Sequence, residues 1–207
     1  MTDEFLQRIP THKALLQRFA FVDNAILHEN VTIYLRYIIF LLVLSEDDKL
    51  ESLAYTVYKD IIIFTASILE SILEFATRKY ILQGKAPNDI FGLATKYTEV
   101  GLIKHDCDDL YKSRLCVVKK AKVPKVESGD EISFNDINKA AKNAGLLDDK
   151  LFKKADELRS MRNTIHLSSL RKSSNDYFKK KEVEKAFKNA HDVILRVESL
   201  LTPAAPV

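Results

Sequence analysis

Tryptophan is absent from the 207 residues, and residues that break regular structure are scarce: five glycines and five prolines. So few breakers, set between long periodic runs, favour an all-helical fold whose core relies on Phe, Tyr, Leu and Ile. Two cysteines, Cys107 and Cys116, are too few for a disulfide framework, so a reducing cytoplasm is the expected location. The N-terminus carries Asp3 and Glu4 with no basic stretch and no apolar stretch behind them, so no signal peptide is expected. The most apolar run, 31–44, contains Arg36 and is shorter than the roughly 20 residues of a membrane span. It reads as a buried helix, and no membrane partner is expected. Glycine-rich phosphate loops, a Gly-x-Ser-x-Gly elbow and a His-Glu-x-x-His pair are all missing. The cluster His105-Asp106-Cys107, with Cys116 nine residues on, offers no Cys-x-x-Cys pair and no clear fourth ligand, so no metal site and no cofactor are expected.

What is present is an ordinary globular balance, 46% hydrophobic and 29% charged, enough for one large domain or a domain with an extension. The net charge of +3 is uneven. Residues 1–103 carry 10 Lys/Arg against 13 Asp/Glu, whereas residues 104–207 carry 22 against 16. The basic half suits an anionic partner such as RNA, and it equally suits lysine-rich helices facing solvent.

Residues 1–49 read as an N-terminal helical extension. Thr11 is placed to cap a helix through Leu15, Leu16 and Phe19, and Ser45-Glu46-Asp47-Asp48 closes the apolar run as a loop. Residues 50–83 show Leu53, Val57, Ile61, Phe64, Ile68, Ile72 and Phe75 at helical spacing, with Gly84 as a stop. Glu70 and Glu74 sit one turn apart on that helix. Asn88 is placed to cap a helix over 90–97. Residues 114–134 are the least helical: valines alternate with lysines around Pro124, which suggests a short β-hairpin or a basic loop. Lys119, Lys120, Lys122 and Lys125 there are candidate phosphate contacts. Ser133 opens a helix that ends at Gly145, Asp148 or Asp149 caps the next, and a last helix is expected over 176–201 before a frayed tail at 203–207.

Chemistry-bearing side chains concentrate in Leu158-Arg159-Ser160-Met161-Arg162-Asn163-Thr164-Ile165-His166-Leu167, inside a helix expected over 149–167. Arg159, Arg162, Asn163 and His166 have the spacing of one helix face. Leu151, Leu158, Met161 and Ile165 fall on an adjoining arc, so the helix can dock while the polar stripe stays available. The stripe can pair internally with Glu70, Glu74 or Asp156, or it can answer an anion from outside.

This stretch resembles the signature of the HEPN superfamily (higher eukaryotes and prokaryotes nucleotide-binding), in which an Arg is followed four to six residues later by a His, often with Asn directly after an Arg. Six residues separate Arg159 from His166, and three separate Arg162 from His166, so either arginine could take the catalytic part. The helix around Ser67-Ile68-Leu69-Glu70 resembles the first core helix of such domains, and the likeness spans roughly residues 50–200, taken as a domain over 50–202. It implies an up-down helical bundle and a homodimer in which the two Arg/His stripes meet in a cleft. It further implies a metal-independent endoribonuclease of a toxin–antitoxin or antiviral defence system, with an antitoxin or regulatory protein as a further partner. Relatives without activity act as modules that bind RNA, nucleotide or protein. On this resemblance Arg159, Arg162 and His166 are the catalytic residues, Asn163 positions the substrate, Glu70 is a supporting acid, and no cofactor is needed.

Overall fold

The computed structural model describes residues 7–103, 115–128, 131–165 and 178–202. The His105-Asp106-Cys107 cluster, His166 and Leu167, the connection over 168–175, Asp176 and the tail at 203–207 lie outside the described residues. The fold is mostly helical, with one two-stranded sheet.

Helix α1 (His12–Leu16) starts where Thr11 Oγ1 accepts from the Ala14 amide at 3.3 Å, and it tightens into a 3-10 turn over Gln17–Phe19. Helix α2 (Ala25–Leu44) is capped by Asn24, whose Oδ1 accepts from the Leu27 amide at 2.9 Å. The helix thus starts six residues before the apolar run, so α2 has 20 residues instead of 14, and by length and composition it is apolar enough to cross a membrane. Only 28% of its apolar window is buried in the protein.

Helix α3 (Ala54–Leu82) is the centre of the fold. It begins later than the expected residue 50 because Asp48–Leu53 forms 3-10 turns broken at Glu51, whose φ of 44° no α-helix accommodates. It ends in a Schellman motif at Gly84, whose φ of +67° is reached without a Cβ penalty: the Lys85 amide reaches Tyr80 O at 2.8 Å and the Gly84 amide reaches Ile81 O at 2.9 Å. Ile61, Ile62, Ala66, Leu69, Ile72, Leu73 and Ala76 are fully buried and at helical spacing form one broad face. A buried face this broad is covered by several neighbours.

The helix expected over 90–97 is instead a strand. Strand β1 (Leu93–Ile103) pairs antiparallel with β2 (Leu115–Pro124), with Leu93 opposite Pro124 and Ile103 opposite Leu115. The hairpin expected within 114–134 is not formed there: that stretch supplies one strand, and its partner comes from residues 93–103. Gly92 (φ +93°) ends the preceding turn, and Thr95, Tyr97 and Thr98 favour a pleated surface. A register shift between Glu99 and Gly101 marks a β-bulge. A short helix, α4 (Lys125–Ser128), follows, and Lys125 reaches the Asp136 carboxylate at 2.6 Å.

Helix α5 (Phe134–Asn143) starts at Ser133, whose hydroxyl accepts from the Asp136 amide at 3.2 Å, and ends in a second Schellman motif at Gly145. Helix α6 (Asp149–Thr164) is capped by Asp148, which accepts from the Leu151 amide at 2.7 Å. Helix α7 (Lys180–Leu201) begins four residues later than expected. Phe178 precedes it in non-helical backbone with its ring fully buried, and the Glu182 side chain returns to accept from the Lys179 amide at 3.0 Å. Helices α2, α5, α6 and α7 all pack on α3, and one continuous core runs from Phe19 in the N-terminal segment to Val197 in α7.

Two buried positions make opposite demands. Leu158 of α6 is fully buried, and Leu158→Ala is expected to cost about 2–5 kcal/mol through lost burial and the cavity left behind. Asn138 of α5 is equally buried, yet among the described residues neither its Nδ2 nor its Oδ1 has a partner. An orphaned buried amide costs about 1–3 kcal/mol. Asn138→Leu, with the same branched skeleton and no polar atom, is therefore expected to hold or raise the urea midpoint that Leu158→Ala lowers. A fall for Asn138→Leu comparable to that of Leu158→Ala would show that the amide is satisfied.

Candidate functional site

The stripe lies on the C-terminal half of α6. Leu158 anchors the helix in the core, with Leu151, Met161 and Ile165 packed partly buried against it, as the periodicity predicts. Ion pairs fix the helix against α7: Lys154 meets Asp192, and Glu157 accepts from Asn189 Nδ2 at 3.0 Å and pairs with Lys185 at 3.2 Å. The Asn189 and Lys185 bonds hold the Glu157 carboxyl below its ordinary range, and Lys154 does the same for Asp192. Arg159 and Arg162 therefore project from a helix held on two sides, by α3 and α7.

Each guanidinium already has a carboxylate. Arg159 donates from Nε to Asp156 Oδ1 at 2.7 Å, one turn earlier on the same helix. Arg162 donates from Nη1 to Glu70 Oε2, which α3 supplies from 92 positions away in the chain. The face thus answers its own charge instead of being carboxylate-free. Glu74, the other candidate acid, pairs with Arg78 at 2.7 Å. The arginines do not converge on one acid buried from solvent: their side chains stay 24% and 32% exposed, and Glu70 stays 22% exposed. A guanidinium has five N–H donors, so each keeps hydrogen-bonding capacity after these contacts.

The surroundings of Glu70 shift its carboxyl. Burial pushes its carboxyl above the ordinary carboxylate range, Arg162 pulls it back, and Glu74 and Glu131 raise it again. Burial outweighs the ion pair, so the carboxylate is held against its own desolvation. Asn163 lies exposed on the next position of the stripe, and Thr164 turns its hydroxyl back onto the Met161 carbonyl at 2.7 Å as the helix ends.

The lysines of the basic stretch are elsewhere. Lys119, Lys120 and Lys122 are exposed on β2, and Lys122 donates to Thr95 Oγ1 at 3.0 Å across the hairpin. The hairpin packs mainly on itself and on α4, so the structure does not gather these lysines with Arg159 and Arg162. Asp156 is the residue whose part the spacing signals most directly: an acid three residues before Arg159 shares its face. No protein-family model, characterised protein or solved structure matches this chain.

The raised Glu70 carboxyl sets a pH dependence. Its folded value lies above that of an ordinary glutamate, so the folded state holds its proton more tightly, and the stability this adds at acid pH is lost as pH rises through the folded value. Glu70→Gln is therefore expected to be no less stable than the parent near pH 7. Arg162→Ala leaves the half-buried carboxylate unanswered and is expected to cost about 1–3 kcal/mol near pH 7 and much less near pH 4. Urea unfolding at both pH values measures this. An Arg162→Ala cost that is equal at both would refute the coupling.

Proposed function

We propose that the chain is a metal-independent RNA endonuclease of the HEPN type, acting in the cytoplasm within a defence or toxin–antitoxin system. The supporting observation is that Arg159 and Arg162 share one partly exposed face of a firmly docked α6. In sequence, His166 follows Arg162 at the spacing of one further turn. RNA carries its own nucleophile. A base removes the proton of the 2′-OH, the 2′-oxygen bonds to phosphorus, and the P–O5′ bond breaks as O5′ receives a proton. The products are a 2′,3′-cyclic phosphate and a 5′-OH.

An imidazole titrates in the range this proton traffic needs. A second copy of the chain would supply a second imidazole, so that one acts as base and the other as acid. The guanidiniums neutralise charge growing on the phosphate, and Asn163 orients it. Glu70 holds Arg162 in place, and the positive charge of the C-terminal half adds sequence-independent attraction for RNA. Lys119, Lys120 and Lys122 on the exposed hairpin would contact flanking phosphates.

A module that binds RNA, nucleotide or a partner protein without cleaving is the second reading. It is favoured by the carboxylates already bonded to both guanidiniums, which a phosphate would have to displace or share.

The full chain with a labelled single-stranded RNA and the matching DNA, in chelator, separates the two. Cleavage of RNA alone is expected, ending in a cyclic phosphate. His166→Ala should lower the rate by a factor of about 10²–10⁴, and Arg159→Ala or Arg162→Ala by up to about 10²–10³. Undiminished cleavage by His166→Ala would sink the nuclease reading. Tight RNA binding without turnover at any pH would establish the second.

A further inference from the structure

Helix α2 buries one side against α3 and leaves an ordered stripe on the other. Ile26, Ile33 and Phe40 recur every seven residues, with Glu29, Asn30, Arg36 and Tyr37 between them. Ile26 is 76% and Ile33 47% exposed, which is unusual for side chains of this size at heptad spacing. Beside them lies a groove of about 320 Å³ whose walls include Ile9, Ile33, Tyr37 and Phe40. The surface therefore carries both a knob, Ile26, and a hole. Glu29 and Arg36 add one charge of each sign. Glu29 meets His12 at 3.0 Å, while Arg36 is exposed and makes no ion pair among the described residues.

These features complement one another under a two-fold axis through Ile33. Laid antiparallel on itself about that residue, α2 places Ile33 against Ile33 and Ile26 opposite Phe40 at the hole. Glu29 then falls within one residue of Arg36 of the second copy. We infer that the exposed stripe of α2 is a self-complementary docking face for a second copy of this chain, closed by Ile26 in the Ile9–Tyr37–Phe40 groove and by Glu29–Arg36 pairs. The contact is isologous, so each knob, hole and charge pair is made twice. A lipid surface suits the stripe less well. Arg36 sits mid-helix, where hydrocarbon leaves its charge unanswered, whereas a second copy sets it beside Glu29. The face uses neither α6 nor His166, so Ile33→Glu separates it from a stripe-to-stripe contact of the kind the proposed activity calls for.

Sedimentation of the full chain over a concentration series tests this. The parent should self-associate to at least twice the chain mass. Ile33→Glu should weaken the dimer at least about tenfold, as a charge in an apolar seam does, with its thermal melt unchanged because the side chain is exposed in the monomer. Arg36→Glu should weaken it by a similar factor, and Glu29→Arg added to Arg36→Glu should restore it, which a folding defect could not mimic. A parent that stays monomeric, a dimer indifferent to Ile33→Glu, or a monomer that floats with phosphatidylglycerol-containing vesicles would each overturn the inference.

Discussion

The burial of α3 is the constraint from which the rest of the arrangement follows. Its fully buried residues, Ile61 and Ile62, Leu69, and Ile72 and Leu73, fall on one broad face of the helix. Each buried Leu or Ile contributes about 1.5–3 kcal/mol only if something covers it. Helices α2, α5, α6 and α7 supply that cover from different sides. The chain on either side of α3 is therefore committed to one core, including the N-terminal segment through Phe19, Val31 and Ile38.

Within that frame Glu70 is the exception that connects core to chemistry. It is a carboxylate on the most buried helix, its charge is disfavoured by burial, and the group that answers it is Arg162 on α6. An ion pair of this kind is weak evidence for stability, because desolvation offsets its attraction. It does orient Arg162, while Asp156 orients Arg159. The two guanidiniums are thereby presented from fixed bases, each with donors to spare.

Some elements were legible because their determinants are local. Thr11, Ser133 and Asp148 cap the helices that follow them, and Gly84 and Gly145 end theirs, because capping needs a particular side chain or a positive φ within a few residues. The α6 stripe and its anchoring Leu158 follow from the 3.6-residue period alone. Residues 90–97 went the other way. A short segment around Ile90, Leu93 and Tyr97 satisfies helix and strand about equally, and the choice was made by pairing with residues more than 20 positions on. The start of α7 also escaped periodicity, because the core takes up Phe178 before the helix begins.

The sequence by itself determined the helical class, most helix boundaries and the grouping of Arg159, Arg162 and Asn163 on one face, since all of these rest on interactions within about one turn of helix. Only the tertiary structure decided that β1 exists, that Arg162 meets Glu70 from 92 positions away, and that one side of α2 stays uncovered while the other is buried. Those outcomes depend on which surfaces come together across the chain. Local spacing limits the possible partners but does not select among them, because the energy of a contact is realised only when both halves have been brought into place.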